Sequence, residues 1–299
     1  MALILENVTK KFGENVAVDD LSLEIPEKEL FGFLGGNGAG KTTSFRMVLG
    51  LIDQTAGNIS WNGESINYNK SHLIGYLPEE RGLYPKLKVK DQLVYLGKLR
   101  GMTKQNALKE LNHWLDRFKI SHYLNKKVEE LSKGNQQKIQ FISAVIHKPN
   151  LLILDEPFSG LDPINVEMLK GAVMDLKDRG TSIVFSSHQM DHVEKLCENV
   201  CILQQGKAVV KGNLREIKRS YGKKKLIIHM DESLEFLKQV NGVMDFQPTI
   251  NGCELQIRDE QVSQEVLNQL QDHGLIRKFE LEEPSLNDIF IEKVGASYE

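Results

Sequence analysis

Residues 35–42 read Gly35-Gly36-Asn37-Gly38-Ala39-Gly40-Lys41-Thr42. They match the pattern G-x-x-x-x-G-K-[ST] at every fixed position. Glycines let the backbone curl until its N–H groups face the oxygens of one anion. The stretch Glu29–Leu34 runs into this loop as a strand, and a helix beginning near Lys41 is expected to add the positive end of its dipole. Lys41 is then placed to reach the β- and γ-phosphates of a nucleotide, and Thr42, followed by Thr43, to hold Mg²⁺. An ordinary glycine-rich turn is the plainer alternative. Strand, loop and helix falling in the expected places argue against it.

A second stretch completes the first. Leu151-Leu152-Ile153-Leu154 is a continuous apolar run that fits a buried parallel strand, and it ends in Asp155-Glu156. An acid at that end can lie near a metal, and the next one beside an attacking water. Many buried strands end in acids, so the pair gains meaning from the loop upstream. Strand, glycine-rich loop and helix in this order point to an α/β P-loop fold.

Composition narrows the rest. The 299 residues suffice for one large domain or two ordinary ones. Hydrophobic residues make up 40% and charged residues 26%, the balance of a soluble globular protein. No apolar run approaches the ~20 residues that span a bilayer. The opening MALILENVTKKFG carries Glu6 and lacks a small-residue cleavage site, so it does not read as a signal peptide. A net charge of −3 argues against nucleic-acid binding driven by charge. Cys197, Cys201 and Cys253 form no disulfide framework and suit a reducing cytoplasm.

Periodicity sets out the domains. Ala2–Val8 and Leu21–Ile25 alternate apolar and polar residues as half-buried strands do, and Gly57–Trp61 and Ile74–Leu77 read as further strands. From Lys90 to about His147 the pattern is helical, with Leu93, Leu96 and Leu99 on one face and Leu108, Leu111 and Leu115 on another. Val200–Gln204 and Lys207–Lys211 read as a hairpin around Gln205-Gly206. The composition shifts near Ser220, and Tyr221-Gly222 with Lys223–Lys225 reads as a solvated linker. Beyond it, apolar runs at Leu226–Met230, Val243–Phe246, Glu254–Ile257 and Leu275–Leu281 alternate with helical stretches near Ser233–Val240 and Val262–Asp272. That β-α-β-β-α-β order suggests a small α+β ferredoxin-like domain. The expected division is therefore 1–220, with a helical subdomain at about 90–147, and 221–299.

These motifs, with those that follow, resemble the ATP-binding subunits of ABC transporters, and the resemblance runs from Leu3 to about Lys211. It implies ATP and Mg²⁺ as ligands, and a mixed sheet flanked by helices with an antiparallel β-subdomain and a helical subdomain. It implies that Phe12, in KKFG, stacks on adenine, where the family more often has Tyr. Leu131-Ser132-Lys133-Gly134-Asn135 resembles the family signature LSGGQ; Lys133 replaces a glycine and Asn135 the usual glutamine. In the family this segment opens a helix and caps the γ-phosphate held by the opposite subunit. A plain N-capped helix start is compatible with that role. Ser159-Gly160-Leu161-Asp162 resembles the loop that links the two sites of the dimer, and His188 resembles the switch histidine that contacts the γ-phosphate. Asp155 is then a metal-side acid and Glu156 the base.

One position departs from the family. Ile74-Gly75-Tyr76-Leu77-Pro78 leads into Glu79, where a glutamine senses γ-phosphate and Mg²⁺. A carboxylate can ligate Mg²⁺ but adds negative charge beside a triphosphate. The continuation Arg81-Gly82-Leu83-Tyr84-Pro85 resembles a subgroup in which such a glutamate is common. His188 and His192 have the spacing of a helical zinc site, but position 189 is not Glu, so that motif fails. Trp61 and Trp114 read as packing residues.

The resemblance implies a second copy or a homologous ATPase as partner, a separate transmembrane permease at whose cytoplasmic face the chain sits, and no nucleic acid. The C-terminal domain ending in PSLNDIF resembles that of bacterial exporters, so export is expected. The competing class is a soluble ATPase of translation or DNA repair. The first usually has two such cores in one chain, and the second a coiled coil longer than Lys90–Glu130.

Overall fold

The glycine-rich loop hangs from the end of a strand buried on both faces. In the computed structural model, which describes residues 2–66, 68–80, 82–221, 224–271 and 273–295, the chain runs β1 (Ala2–Phe12), β2 (Asn15–Pro26), β3 (Leu30–Gly35), α1 (Lys41–Val48), β4 (Ala56–Trp61), β5 (Glu64–Ser65) and β6 (Ile74–Leu77). It continues with α2 (Val89–Leu99), α3 (Lys104–Arg117), α4 (Lys133–Val145), β7 (Leu151–Asp155), α5 (Pro163–Asp178), β8 (Ser182–Ser186), α6 (Met190–Leu196), β9 (Asn199–Gln204) and β10 (Lys207–Asn213). One sheet has the order β2-β1-β4-β5, the other β10-β9-β3-β8-β7-β6.

Every residue of β3, β7 and β8 is buried, which is why these strands are apolar without alternation. β3 pairs in parallel with β8 and β9, and β7 with β6 and β8. Parallel pairing brings their carboxyl ends together: Asp155 lies opposite Ser186, and Ser186 opposite Phe33. Clefts at such sheet ends are where open α/β folds bind ligands. The β9–β10 hairpin turns at Gln205 (φ 47°) and Gly206 (φ 81°), left-handed residues of the kind two-residue turns use.

The helical subdomain differs in one face. Leu93 is fully buried, but Leu99 is 63% exposed. Steps of three drift backwards by about 60° each around a 3.6-residue helix. The buried face of α2 instead passes through Val89, Leu93 and Gly97. Among the described residues no helix is long and apolar enough to cross a membrane.

The chain divides into the compact units Met1–Lys211 and Gly212–Glu299, earlier than the composition shift at Ser220. Asn213 caps a short helix, α7 (Leu214–Ser220), by accepting from the Arg215 and Glu216 amides, and Leu214 buries its first turn. The second unit then has β11 (Lys224–His229), β12 (Val243–Thr249), β13 (Gly252–Ile257), α8 (Glu260–Leu270), β14 (Lys278–Glu282) and α9 (Leu286–Phe290). Gly222 and Lys223 of the expected linker lie outside the described residues. Lys224 and Lys225 belong to β11 and pair with Glu260 (3.4 Å) and Glu254 (2.5 Å).

The second unit's sheet, β12-β13-β11-β14, is antiparallel throughout, as a split β-α-β arrangement requires. Its first connection is a 3₁₀ stretch, Glu235–Gln239, rather than an α-helix. Leu234, Leu237 and Val240 are buried at steps of three, which share a face in a helix with three residues per turn.

Candidate functional site

Helix α1 starts at Gly40, whose φ of 106° is left-handed and which supplies no side-chain cap. Its first-turn N–H groups are therefore left to a ligand, at the positive end of the helix. A Cβ on Gly40 would lie 2.6 Å from the Ala17 carbonyl oxygen, and one on Gly35 would lie 2.7 Å from that of Leu203. The loop is thus wedged between β2 and β9, and only glycine fits at these two places. Lys41 curls back over it, its Nζ donating to the carbonyl oxygens of Gly35 (2.5 Å) and Gly36 (3.2 Å).

Opposite the loop, Asp155 is 2% exposed and fully engaged. Its Oδ1 accepts from Ser186 Oγ at 2.6 Å, and its Oδ2 from Thr42 Oγ1 at 3.3 Å. Glu156 follows at φ 50°, a strained conformation for a non-glycine residue. Its amide donates to the Ser186 hydroxyl at 3.2 Å, and its carboxylate Oε2 lies 2.9 Å from His188 Nδ1. Burial pushes the Glu156 carboxyl above the usual glutamate range; the bond from His188 and the charge of Lys41 pull against that shift without cancelling it. Burial, then the Asp155 carboxylate, pushes the Tyr76 phenol up to about 12, so it stays protonated.

One cavity of about 590 Å³ gathers Phe12, Gly36–Thr43, Glu79, Asp155, Glu156 and His188. That size suits a nucleotide. Phe12 is 51% exposed at its rim, with Lys10 Nζ 5.0 Å from the ring centre, which leaves an aromatic face to stack on a base. Asn15, Val16, Ala17 and Gln205 line it as well.

The signature segment lies elsewhere. Ser132, Lys133, Gly134, Asn135 and Asp162 do not line the cavity. Ser132 is the N-cap of α4, its Oγ accepting from the Asn135 amide at 3.4 Å. Asp162 caps α5, its Oδ1 accepting from the Asn165 amide at 3.0 Å while Asn165 Nδ2 donates to its Oδ2. These amide bonds hold the Asp162 carboxyl below the usual range. The two caps are neighbours, since a Cβ on Gly134 would lie 2.8 Å from Asn165 Nδ2. Helix α4 also reaches the acidic turn, with Gln137 Nε2 donating to the Pro157 carbonyl at 3.1 Å.

Residues 18–159 match the family model "ABC transporter", and residues 212–294 match "ATP-binding protein DrrA1-3-like, C-terminal domain". The chain is 66% identical to the uncharacterized ABC transporter ATP-binding protein YhaQ of Bacillus subtilis, over 99% of this chain and 100% of that one. It belongs to the ABC transporter ATP-binding proteins. This ABC ATP-binding protein is also 33% identical to the bacitracin transport ATP-binding protein BcrA of Bacillus licheniformis, over 97% of this chain and 96% of that one. A solved ATP-binding subunit of an ABC transporter superposes with a TM-score of 0.70 at 28% identity, covering 74% of this chain and 94% of that one. The ABC ATP-binding protein therefore binds nucleotide and hydrolyses ATP as a transporter subunit; these relatives give no support to a translation or repair factor.

In this ABC ATP-binding protein the donor set fits Mg²⁺. Thr42 Oγ1 and Asp155 Oδ2 are hard oxygens 3.3 Å apart, and Glu79 borders the same cavity. Mg²⁺ keeps several waters and takes the remaining oxygens from phosphates, so two or three protein ligands suffice. Ser186 and Ala17 escape a reading of motifs. Ser186 stands two residues before His188, but its bond to Asp155 depends on strand register.

Proposed function

We propose that this ATPase drives export through a separate membrane permease, with MgATP held between two copies of the chain. The observation that carries the catalytic assignment is Glu156: a buried carboxylate with raised proton affinity, oriented by His188, in one cavity with Lys41 and Asp155. Phe12 stacks on adenine. The amides of Gly36–Thr43 and the ammonium of Lys41 take the phosphates, Lys41 exchanging the Gly35 and Gly36 carbonyls for the β- and γ-phosphate oxygens. Glu156 accepts a proton from water as its oxygen bonds to the γ-phosphorus and the bond to ADP breaks. His188 keeps the Glu156 carboxylate turned toward that water. Thr42, Asp155 and Glu79 would hold Mg²⁺, which would supply positive charge against that of the phosphates.

The Ser132–Asn135 segment, outside the cavity and exposed at Ser132 and Lys133, supports the dimeric reading. It covers the γ-phosphate of the opposite copy, with Asp162 beside it, so two chains complete two sites by twofold symmetry. ATP binds the closed pair better and so shifts the equilibrium toward it. The side chains of Tyr84, Leu87, Tyr95 and Leu99 are between 47% and 67% exposed and supply an apolar surface after Glu79 for the permease. Through it the chain sits at the cytoplasmic face of the membrane. The division of labour between the two units leaves the chemistry to the first. The exporter-like second domain gives the direction.

The test is co-purification from native membranes of a tagged Glu156→Gln variant, which holds the ATP state. A stoichiometric polytopic membrane protein is expected. Ribosomes or repair proteins in its place, or nothing, would contradict the transporter reading.

A further inference from the structure

Glu79 has a second helix behind it. Gln140 sits on α4, two turns beyond the signature at Ser132, and is 2% exposed. Its Nε2 donates to two backbone oxygens, those of Pro78 (3.2 Å) and Glu80 (3.0 Å). These carbonyls flank Glu79, so a single amide pins the backbone on both sides of a residue that borders the nucleotide cavity. The Gln140 Oε1 is buried and has no partner among the described residues. A buried polar atom left unpaired is unfavourable, and an apolar side chain would avoid it. The amide therefore serves through the two bonds that it donates.

The same helix holds both loops of the cavity. Gln137 donates to Pro157, next to Glu156, and Gln140 straddles Glu79 one turn later. An α-helix rises 1.5 Å per residue, so Gln140 lies about 12 Å from Ser132 along a rigid rod. A shift of the α4 N-terminus on meeting an opposite copy would reach Glu79 through this contact.

We infer that Gln140 is a positioning residue for Glu79, coupling engagement of the signature to the placement of the metal-side carboxylate. The inference rests on the proposal that Glu79 serves Mg²⁺. Replacing glutamine by leucine keeps the buried volume and removes both donors. In the full chain, Gln140→Leu is expected to raise the half-saturating Mg²⁺ concentration of ATP hydrolysis about fivefold, while ATP binding in the presence of a chelator changes less than twofold. Gln140→Asn keeps an amide on a shorter stem and is expected to fall between leucine and wild type; it carries the comparison if the leucine variant folds poorly. In a Glu79→Gln background, Gln140→Leu is expected to add less than a twofold further shift.

The outcomes separate the two claims. If Glu79→Gln shifts the Mg²⁺ dependence but Gln140→Leu and Gln140→Asn do not, the coupling through Gln140 is wrong and the role of Glu79 stands. Full additivity of the two changes also overturns the coupling. If Glu79→Gln leaves the Mg²⁺ dependence unchanged, both claims fall.

Discussion

Two glycine-containing segments of this chain begin helices, and they do opposite things with the helix start. The loop Gly35–Thr42 leaves the N-terminus of α1 uncapped and sits beside Asp155 and Glu156 at the bottom of the cavity. The segment Leu131–Asn135 caps α4 with Ser132, exposes Ser132 and Lys133 while burying Leu131, and borders no part of that cavity. The first is built to surround an anion at once. The second has one first-turn amide, that of Asn135, taken by the Ser132 hydroxyl. The proposed catalytic half and the proposed covering half lie apart on one chain, since no residue of the second lines the cavity of the first; in the proposed dimer the covering half serves another copy.

The most damaging way to break this contrast is to disable the base. Glu156→Gln is expected to lower kcat by about a hundredfold or more, the usual reach of general base catalysis, with ATP affinity within twofold of wild type. Steady-state turnover and equilibrium nucleotide binding check this together. Next comes the loop backbone. Gly40→Ala forces a Cβ to within 2.6 Å of the Ala17 oxygen at a φ of 106°. It is expected to cost about 1–3 kcal/mol of stability and to abolish tight ATP binding, as read by denaturant melts and titration. The equivalent change on the other side, Gly134→Ala, meets a side-chain amide rather than backbone. It should leave single-chain ATP binding intact while lowering turnover.

The pH profile sharpens the catalytic half. Glu156 must be ionised to take a proton, so kcat falls as pH drops through its pKa. Burial raises that pKa above the ordinary 4.5, which places the acid limb at higher pH than a free glutamate would. Removing His188 deletes a bond and a charge that lower the pKa, so His188→Ala moves the limb further up. A limb that stays put or moves down would contradict the pairing. The smallest effect is expected at the cap: Ser132→Ala should cost about 1 kcal/mol of stability at α4, with no change in ATP affinity of the single chain.

What could be read from the sequence follows the range over which each feature is determined. The loop, the acidic strand end, Ser132 and His188 are local patterns: the loop joins β3 to α1, Asp155 ends β7, Ser132 caps α4 and His188 lies against Glu156. The apolar runs of β3, β7 and β8 announce burial on both faces. Gln140 and Ser186 gave no such signal, because an amide in a helix or a hydroxyl in a strand acquires a role only from what packs against it. The boundary at Lys211 was hidden by the polar composition of α7, which reads as continuation of the first unit until Leu214 is seen to be buried. The 3₁₀ stretch Glu235–Gln239 was legible in principle from apolar residues at steps of three, a spacing easily taken for a short α-helix. Arg81 lies outside the described residues.

The central claim is that nucleotide completes its site by joining two chains. The direct measurement is the mass in solution of purified Glu156→Gln with and without MgATP, by light scattering on a sizing column. The account predicts one 33.9 kDa chain without nucleotide and two with it. A variant that binds ATP stoichiometrically and still elutes at the mass of a single chain would contradict it.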